Sequence, residues 1–132
     1  MVYVHKKERI MKDKRVKSFR FISPEPEDVY NDMADIFVTL EDDDFEYWIE
    51  MATPKSFSTY MEKNNQKFLE PRFPFIIVSE LTPAVIEEAL NAFASEREDA
   101  YWLKLYHLTV EFNIQDLNTL LDRQKKIQND IN

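Results

Sequence analysis

The sequence predicts a single α+β domain: a mostly antiparallel sheet of about four strands, with three to four helices packed on one face. Length is the first observation, because 132 residues suit one domain. Composition is the second, since a 44% apolar fraction with ten Phe, six Tyr and two Trp is typical of globular proteins. The third is order: strand-like segments dominate the first half, and helix-like segments follow them.

Three segments of the first half predict strands, at 16–22, 35–41 and 45–52, because apolar and polar residues alternate along them. The third strand places apolar side chains on one face and acidic ones on the other, with Trp48 between the two Glu residues. The apolar face is formed by Phe45, Tyr47, Ile49 and Met51, and the acidic one by Glu46 and Glu50. Two prolines and many acidic residues predict a loop before the second strand, with one helical turn near 29–33.

Two Thr-Pro dipeptides predict helix starts. Thr53 caps a helix whose first residue is Pro54, because a proline lacks the N–H that would be unpaired there. A strand at 73–80 leads to Thr82-Pro83, which repeats the arrangement 29 residues later. The two apolar helix faces consist of Phe57, Tyr60 and Met61, and of Ile86, Ala89, Leu90 and Phe93.

The last third of the chain predicts two more helices. A capping box at 95–98 favours a helix over 99–109, although aromatic and β-branched residues leave a strand open there. Asn113 caps the final helix, which runs to about residue 126. One apolar face of that helix is formed by Ile114, Leu117, Leu120 and Leu121.

Composition excludes several classes of function. Without glycine the chain has no P-loop, no dinucleotide-binding turn and no nucleophile elbow, and without cysteine it has no thiolate chemistry or disulfide. The two histidines, His5 and His107, are isolated, and His107 is interpreted as a partly buried structural residue. We therefore expect no cofactor, no metal and no catalytic residues. No membrane span or secretory signal is present, so a cytoplasmic bacterial-type protein is expected.

Charge divides the chain unevenly. Residues 1–20 hold eight Lys and Arg and two acidic residues, which predicts a mobile basic arm over 1–15 ahead of a domain at 16–132; an alternative start at Met11 stays open. The stretch from 21 to 54 holds eleven acidic residues and no Lys or Arg. Because this acidic domain repels phosphate, no nucleic-acid partner is expected.

The base-free stretch predicts a docking surface for a basic protein, since a surface of one sign repels itself unless a partner neutralises it. The alternative is that these charges only maintain solubility. Two acidic loops with nearby aromatic anchors supply the candidate residues. They are Glu25, Glu27, Asp28 and Tyr30 in the first loop, Glu41, Asp42, Asp43 and Asp44 at the tip of the second hairpin, and Trp48.

Two other classes of function remain open. In a metal-assisted or acid/base enzyme, clustered carboxylates would do the chemistry, but neighbouring residues of Asp42–Asp44 point to opposite sides and the loop lacks the glycine of a calcium loop. Glu46 and Glu50 lie about 13 Å apart along a strand, which is wider than glycosidase carboxyl pairs. The third class is a structural or oligomerisation subunit, whose interface is expected to be apolar.

Three segments, KSFRFISPEPEDVY, EYWIEMATPKSF and FPFIIVSELTPAVIEEAL, resemble a family of small α+β immunity proteins from bacterial polymorphic toxin systems. The similarity covers about residues 16–112. In that family a strand leads through Thr-Pro-Lys into a helix, and a second strand–helix pair follows. The resemblance implies protein binding rather than catalysis, with a toxin as the partner. An acidic hairpin at Glu41–Asp44, where the family often has glycine, fits an inhibitor of a basic toxin.

Overall fold

The computed structural model describes residues 15–72, 74–109 and 112–131. The basic arm predicted at 1–15 therefore lies outside the described residues except for Arg15, and so does the alternative start at Met11. The described chain forms one α+β domain with a four-stranded, mostly antiparallel sheet and four α-helices, which confirms the predicted fold class.

The strands are β1 (Val16–Phe21), β2 (Met33–Leu40), β3 (Glu46–Ala52) and β4 (Phe75–Ile77). The helices are α1 (Pro54–Lys63), α2 (Pro83–Phe93), α3 (Tyr101–Thr109) and α4 (Ile114–Ile131), with a short 3-10 turn at Glu96–Glu98. None of the helices among the described residues combines the length and the apolar character that crossing a bilayer requires.

The sheet has the order β1-β2-β3-β4. Its first three strands form an antiparallel meander, and β4 pairs parallel to β3 after the α1 crossover. Because side chains alternate along a strand, Ile36 and its partner Ile49 share one face, and Phe37 and its partner Trp48 share the other. The Ile36 face is fully buried and forms the core.

Two helices cover this core face. Ile86 and Leu90 of α2 and Leu103 of α3 are fully buried in the same apolar cluster as the sheet. The expectation that three to four helices pack on one face is therefore wrong in detail. The ring of Phe57 in α1 contacts Phe75, which lies on the opposite face, and none of the α4 residues is buried.

The predicted helix starts are confirmed. The Thr53 hydroxyl accepts from the Ser56 N–H at 3.3 Å. Thr82 has nearly the same backbone angles as Thr53, with φ of −89° against −93° and ψ of 152° at both, but its side chain makes no capping bond. The repetition at 29 residues is thus a repetition of backbone geometry. At the start of α4, Asn113 and Asp116 exchange two side chain to backbone hydrogen bonds, at 3.0 and 3.2 Å.

Several predicted boundaries are wrong. The helical turn predicted near 29–33 is reduced to one hydrogen-bonded turn, in which the Asn31 N–H donates to the Asp28 carbonyl at 3.1 Å, because β2 already begins at Met33. The strand expected at 73–80 shortens to Phe75–Ile77, since β3 offers it only three partners among the described residues. The capping box at 95–98 gives a 3-10 turn instead, after which Asp99 and Ala100 take left-handed φ values of 52° and 56° before α3 starts. A helix rather than a strand is confirmed in this segment as α3, but it begins at Tyr101 and not at residue 99.

Candidate protein-binding face

The sheet face turned away from α2 and α3 carries an arrangement of acidic and aromatic side chains at its centre. We call this side the open face, and its four central residues, Asp35, Phe37, Trp48 and Glu50, the central quartet. Asp35 is paired with Glu50 and Phe37 with Trp48 across β2 and β3, so the four side chains form a two-by-two block. All four are half-buried.

The two carboxylates of the quartet face each other directly. Side chains at such positions have their Cβ atoms about 4.5–5.5 Å apart, and like charges there destabilise the sheet. Burial raises the pKa of Glu50, the neighbouring Asp35 raises it further, and Arg72 acts in the opposite direction. The centre of the open face therefore holds negative charge that its surroundings disfavour, and a cation placed there would relieve it.

The two aromatic residues stand beside this carboxylate pair. The rings of Phe37 and Trp48 have their centroids 6.4 Å apart and are tilted by 58°. The indole Nε1–H of Trp48 donates a hydrogen bond to Asp35 Oδ1 at 3.3 Å. This bond fixes the position of the indole next to the carboxylates, so the quartet combines two negative groups with two π faces.

The open face already binds guanidinium groups of its own chain. The Arg20 guanidinium lies 4.6 Å from the centre of the Phe37 ring, and it donates to both carboxylate oxygens of Glu46 at 3.1 and 3.2 Å. Arg72 stacks more loosely on Phe75, at 5.8 Å. Stacking on an aromatic ring together with a forked carboxylate contact is the way arginine is usually recognised.

His107 of α3 holds the edge of β3 beside the quartet. Its Nδ1 accepts a hydrogen bond from the backbone N–H of Trp48 at 2.9 Å, and the rings of Phe45 and Tyr47 meet it edge-on at 5.2 and 5.5 Å. Because β4 pairs only with Glu50–Ala52, that N–H has no strand partner in the described chain. The interpretation of His107 as a structural residue is confirmed, and it supports the backbone under Trp48.

The predicted acidic hairpin tip lies between β2 and β3, but two of its residues make contacts within the chain. Asp42 pairs with Arg15 at 2.8 Å, and this contact lowers the pKa of Asp42. Asp43 accepts from the Phe45 N–H and, at 3.0 Å, from the Tyr47 hydroxyl. Burial and the bond to Asp43 raise the pKa of Tyr47 to about 12. Glu41 and Asp44 are exposed and remain available to a partner.

The first acidic loop lies at the other end of the sheet. Its candidates Glu25, Glu27, Asp28 and Tyr30 are all exposed, and Asp28 accepts from the Tyr30 N–H at 3.0 Å. Because β2 connects the two loops, they are separated by roughly 23 Å along the strand. The structure therefore does not bring the two acidic loops together. They lie at opposite ends of the sheet, with the central quartet between them.

Asp35, Phe37 and Glu50 were missed as site residues, although the sequence held a signal for them. A four-residue tip at Glu41–Asp44 fixes the pairing of the hairpin, so that paired residue numbers add up to 85. Counting back from the tip pairs Asp35 with Glu50 and Phe37 with Trp48, as the structure has them. Arg15 and Arg20 precede the base-free stretch in the sequence, but in the fold they pair with Asp42 and Glu46 of that stretch. Its acidic residues therefore do have basic neighbours in the folded protein.

The described residues contain no group of three or more His, Cys, Asp or Glu side chains that could hold a metal ion. Comparisons with protein-family models, with curated proteins and with solved structures gave no match. The function is therefore argued from the geometry of the open face.

Proposed function

We propose that this protein is a non-catalytic binding domain whose open face binds an arginine-bearing segment of a basic partner protein. The observation that carries the proposal is the central quartet: Asp35 and Glu50 facing each other, with Trp48 and Phe37 beside them. Arg20, stacked on Phe37 and forked onto Glu46, shows within the chain the kind of contact that a partner arginine would make.

The physical reason lies in the repulsion between Asp35 and Glu50. The free protein carries this repulsion, and a bound guanidinium removes it while stacking on the indole, so binding gains from both effects. Tryptophan and arginine are also the residues most enriched among interface hot spots. The exposed Glu41, Asp44, Glu25 and Glu27 at the two ends of the sheet would steer a basic partner toward this face.

An immunity-type role, in which the open face covers a basic surface of a toxin, agrees with this proposal. The resemblance of residues 16–112 to bacterial immunity proteins supports it, and so does the acidic hairpin. Its direct test is the affinity for a basic protein encoded next to this chain, measured with the wild type and with variants of the central quartet and of the first acidic loop.

The test uses the fluorescence of Trp48. In a Trp102→Phe background Trp48 is the single tryptophan, so its emission reports on the central quartet. The probe is an extended peptide in which arginine alternates with serine, and the control peptide carries glutamine in place of arginine. We expect saturable binding of the arginine peptide alone, with an affinity that falls as salt is raised.

Two variants with the same change in charge separate the site from general electrostatics. Asp35→Asn with Glu50→Gln removes two charges from the quartet and leaves an oxygen to accept from the Trp48 indole. Glu25→Gln with Glu27→Gln removes two charges from the first loop. We expect roughly tenfold or greater weakening in the first variant, as for the loss of a charged contact of about 1.4 kcal/mol or more, and a much smaller effect in the second. Equal weakening in both would reject the quartet as the site.

A carboxylate-based enzyme stays the alternative, because Asp35 and Glu50 are partners across β2 and β3 and the pKa of Glu50 is raised. The two described clefts beside α1 contain neither carboxylate. Calorimetric titration with Mg²⁺, Ca²⁺ and Mn²⁺ decides between the two. Saturable binding with a defined stoichiometry that is lost on Asp35→Asn would favour the enzyme.

A further inference from the structure

Helix α4 exposes an apolar surface that nothing else in the described chain covers. All of its residues are exposed, and six of them are Leu or Ile with 45% to 78% of their surface accessible. These six are Ile114, Leu117, Leu120, Leu121, Ile127 and Ile131. A contiguous apolar surface of this kind marks an interaction site on a soluble protein.

The six side chains form one stripe along the helix. At 3.6 residues per turn they fall within about 140° of the circumference, and the 18 residues of α4 extend for about 27 Å. A stripe of this width is typical of a helix that packs in a bundle. Two polar residues lie within the stripe: Gln124, near its centre line and close to the middle of the helix, and Gln128, one turn further on.

We infer that the stripe pairs with the stripe of a second copy of this chain, with the two helices antiparallel. The charges of α4 argue for this partner. Asp116 and Asp122 give the first half a net charge of −2, and three bases against Asp130 give the second half +2. In an antiparallel pair each half lies beside the opposite charge of its partner, whereas a parallel pair places like beside like.

The same charges argue against other occupants. A membrane-surface helix is rich in Lys and Arg on its polar face and carries Trp or Phe on the other, but α4 has three bases, three acids and no aromatic residue. The dipole of an unpaired helix would also favour acidic residues near its N-terminus and basic residues near its C-terminus. It does not explain why six apolar side chains are exposed. Self-pairing accounts for both features.

The pairing also accommodates Gln124. If two antiparallel helices cross at this residue, its side-chain amide meets that of the partner copy, and each can donate to and accept from the other. Leu117 then lies opposite Ile131 of the partner subunit. A polar residue inside an apolar seam can fix the alignment of paired helices, and of the two glutamines in the stripe Gln124 is the one that meets its own copy in this alignment.

Sedimentation velocity on the full chain tests the inference. Over a roughly hundredfold range of concentration we expect the fraction of dimer to rise. Leu120→Glu with Leu121→Glu should remove the dimer and leave the thermal unfolding of the sheet domain unchanged, because neither side chain is buried. Asn118→Glu with Thr119→Glu adds the same charge on the polar face of α4 and should retain the dimer.

Orientation is tested by disulfide cross-linking, which is clean because the chain has no cysteine. Leu117→Cys and Ile131→Cys variants should form a mixed disulfide dimer when combined and little dimer when oxidised singly. Strong cross-linking of each variant with itself would show parallel helices and overturn the inference. A protein that stays monomeric at every concentration would also overturn the inference. So would a result in which the stripe of α4 binds anionic vesicles, or binds only the arginine peptide, instead of a second copy. Binding by the open face depends on different residues, so either proposal can fail without the other.

Discussion

Replacing Glu50 with glutamine should stabilise the protein at neutral pH. Glu50 faces Asp35 across β2 and β3, is half-buried, and has a raised pKa because of its burial and of Asp35. Like charges directly opposite each other in a sheet destabilise it by about 0.2–1 kcal/mol. Glutamine removes the charge and keeps the shape, so we expect a gain of about 0.5 kcal/mol in the free energy of unfolding. With a urea m-value of about 1–2 kcal/mol/M, the midpoint should rise by about 0.25–0.5 M.

The pH dependence of this gain has a definite sign. The pKa of Glu50 in the folded protein lies above the ordinary value of 4.5, so the unfolded chain releases its proton first as the pH rises. At a pH below the ordinary pKa of glutamate, Glu50 therefore favours the folded state. This contribution to stability is lost as the pH rises through the raised pKa of the folded protein. The stability difference between the Glu50→Gln variant and the wild type should therefore be largest at neutral pH and shrink in acid.

Urea unfolding followed by circular dichroism at several pH values measures both effects. Glu27→Gln, a change in the exposed first loop, is the matched control and should alter the free energy of unfolding by less than about 0.5 kcal/mol. A Glu50→Gln variant that is less stable than the wild type at neutral pH would refute the reasoning. A gain that is the same at every pH would refute it as well, because the charge would then not be its source.

Three further substitutions test single contacts. His107→Phe keeps a ring between its neighbours but removes the acceptor of the Trp48 N–H, so unfolding by urea should show a loss of about 1–3 kcal/mol; an unchanged midpoint would mean that water replaces the imidazole. Asp43→Asn should lower the pKa of Tyr47 from about 12 toward its usual value near 10, as read by ultraviolet titration, with burial keeping part of the shift. Asn113→Ala removes the capping bond of α4 and should reduce far-ultraviolet ellipticity at low protein concentration without moving the unfolding midpoint of the sheet domain.

Much of the fold could be predicted from the chemistry of neighbouring residues. The alternation of residues in β2 and β3 predicted which side chains are buried, and the Thr-Pro dipeptides predicted where α1 and α2 begin. These features depend on neighbouring residues, so they can be inferred without knowing what lies across the sheet. The hairpin tip at Glu41–Asp44 belongs to the same class, and its position also determined the composition of the central quartet.

Features that depend on distant segments were not predictable in this way. A 3.6-residue period shows that α4 has an apolar face, but it does not show whether anything covers that face. The pairing of Asp42 with Arg15, 27 residues away, depends on how β1 lies against the hairpin. The bond between His107 and Trp48 joins residues 59 apart in the chain. Counting charges along the sequence therefore overstated the negative charge of the hairpin and overlooked the open face.

Arg20 gives the sharpest test of how the open face recognises a cation, because it occupies part of that face in the free protein. Its guanidinium covers the Phe37 ring and engages both oxygens of Glu46. Arg20→Gln exposes the ring and the carboxylate, so the affinity for the arginine peptide should rise. Lys17→Gln removes the same charge from an exposed position of β1 and changes long-range attraction alone. If the quartet binds by stacking and forked contacts, Arg20→Gln should raise the affinity for the arginine peptide more than Lys17→Gln does, at every salt concentration. If both variants raise the affinity equally and the increase disappears at high salt, only the summed charge of the domain attracts the peptide.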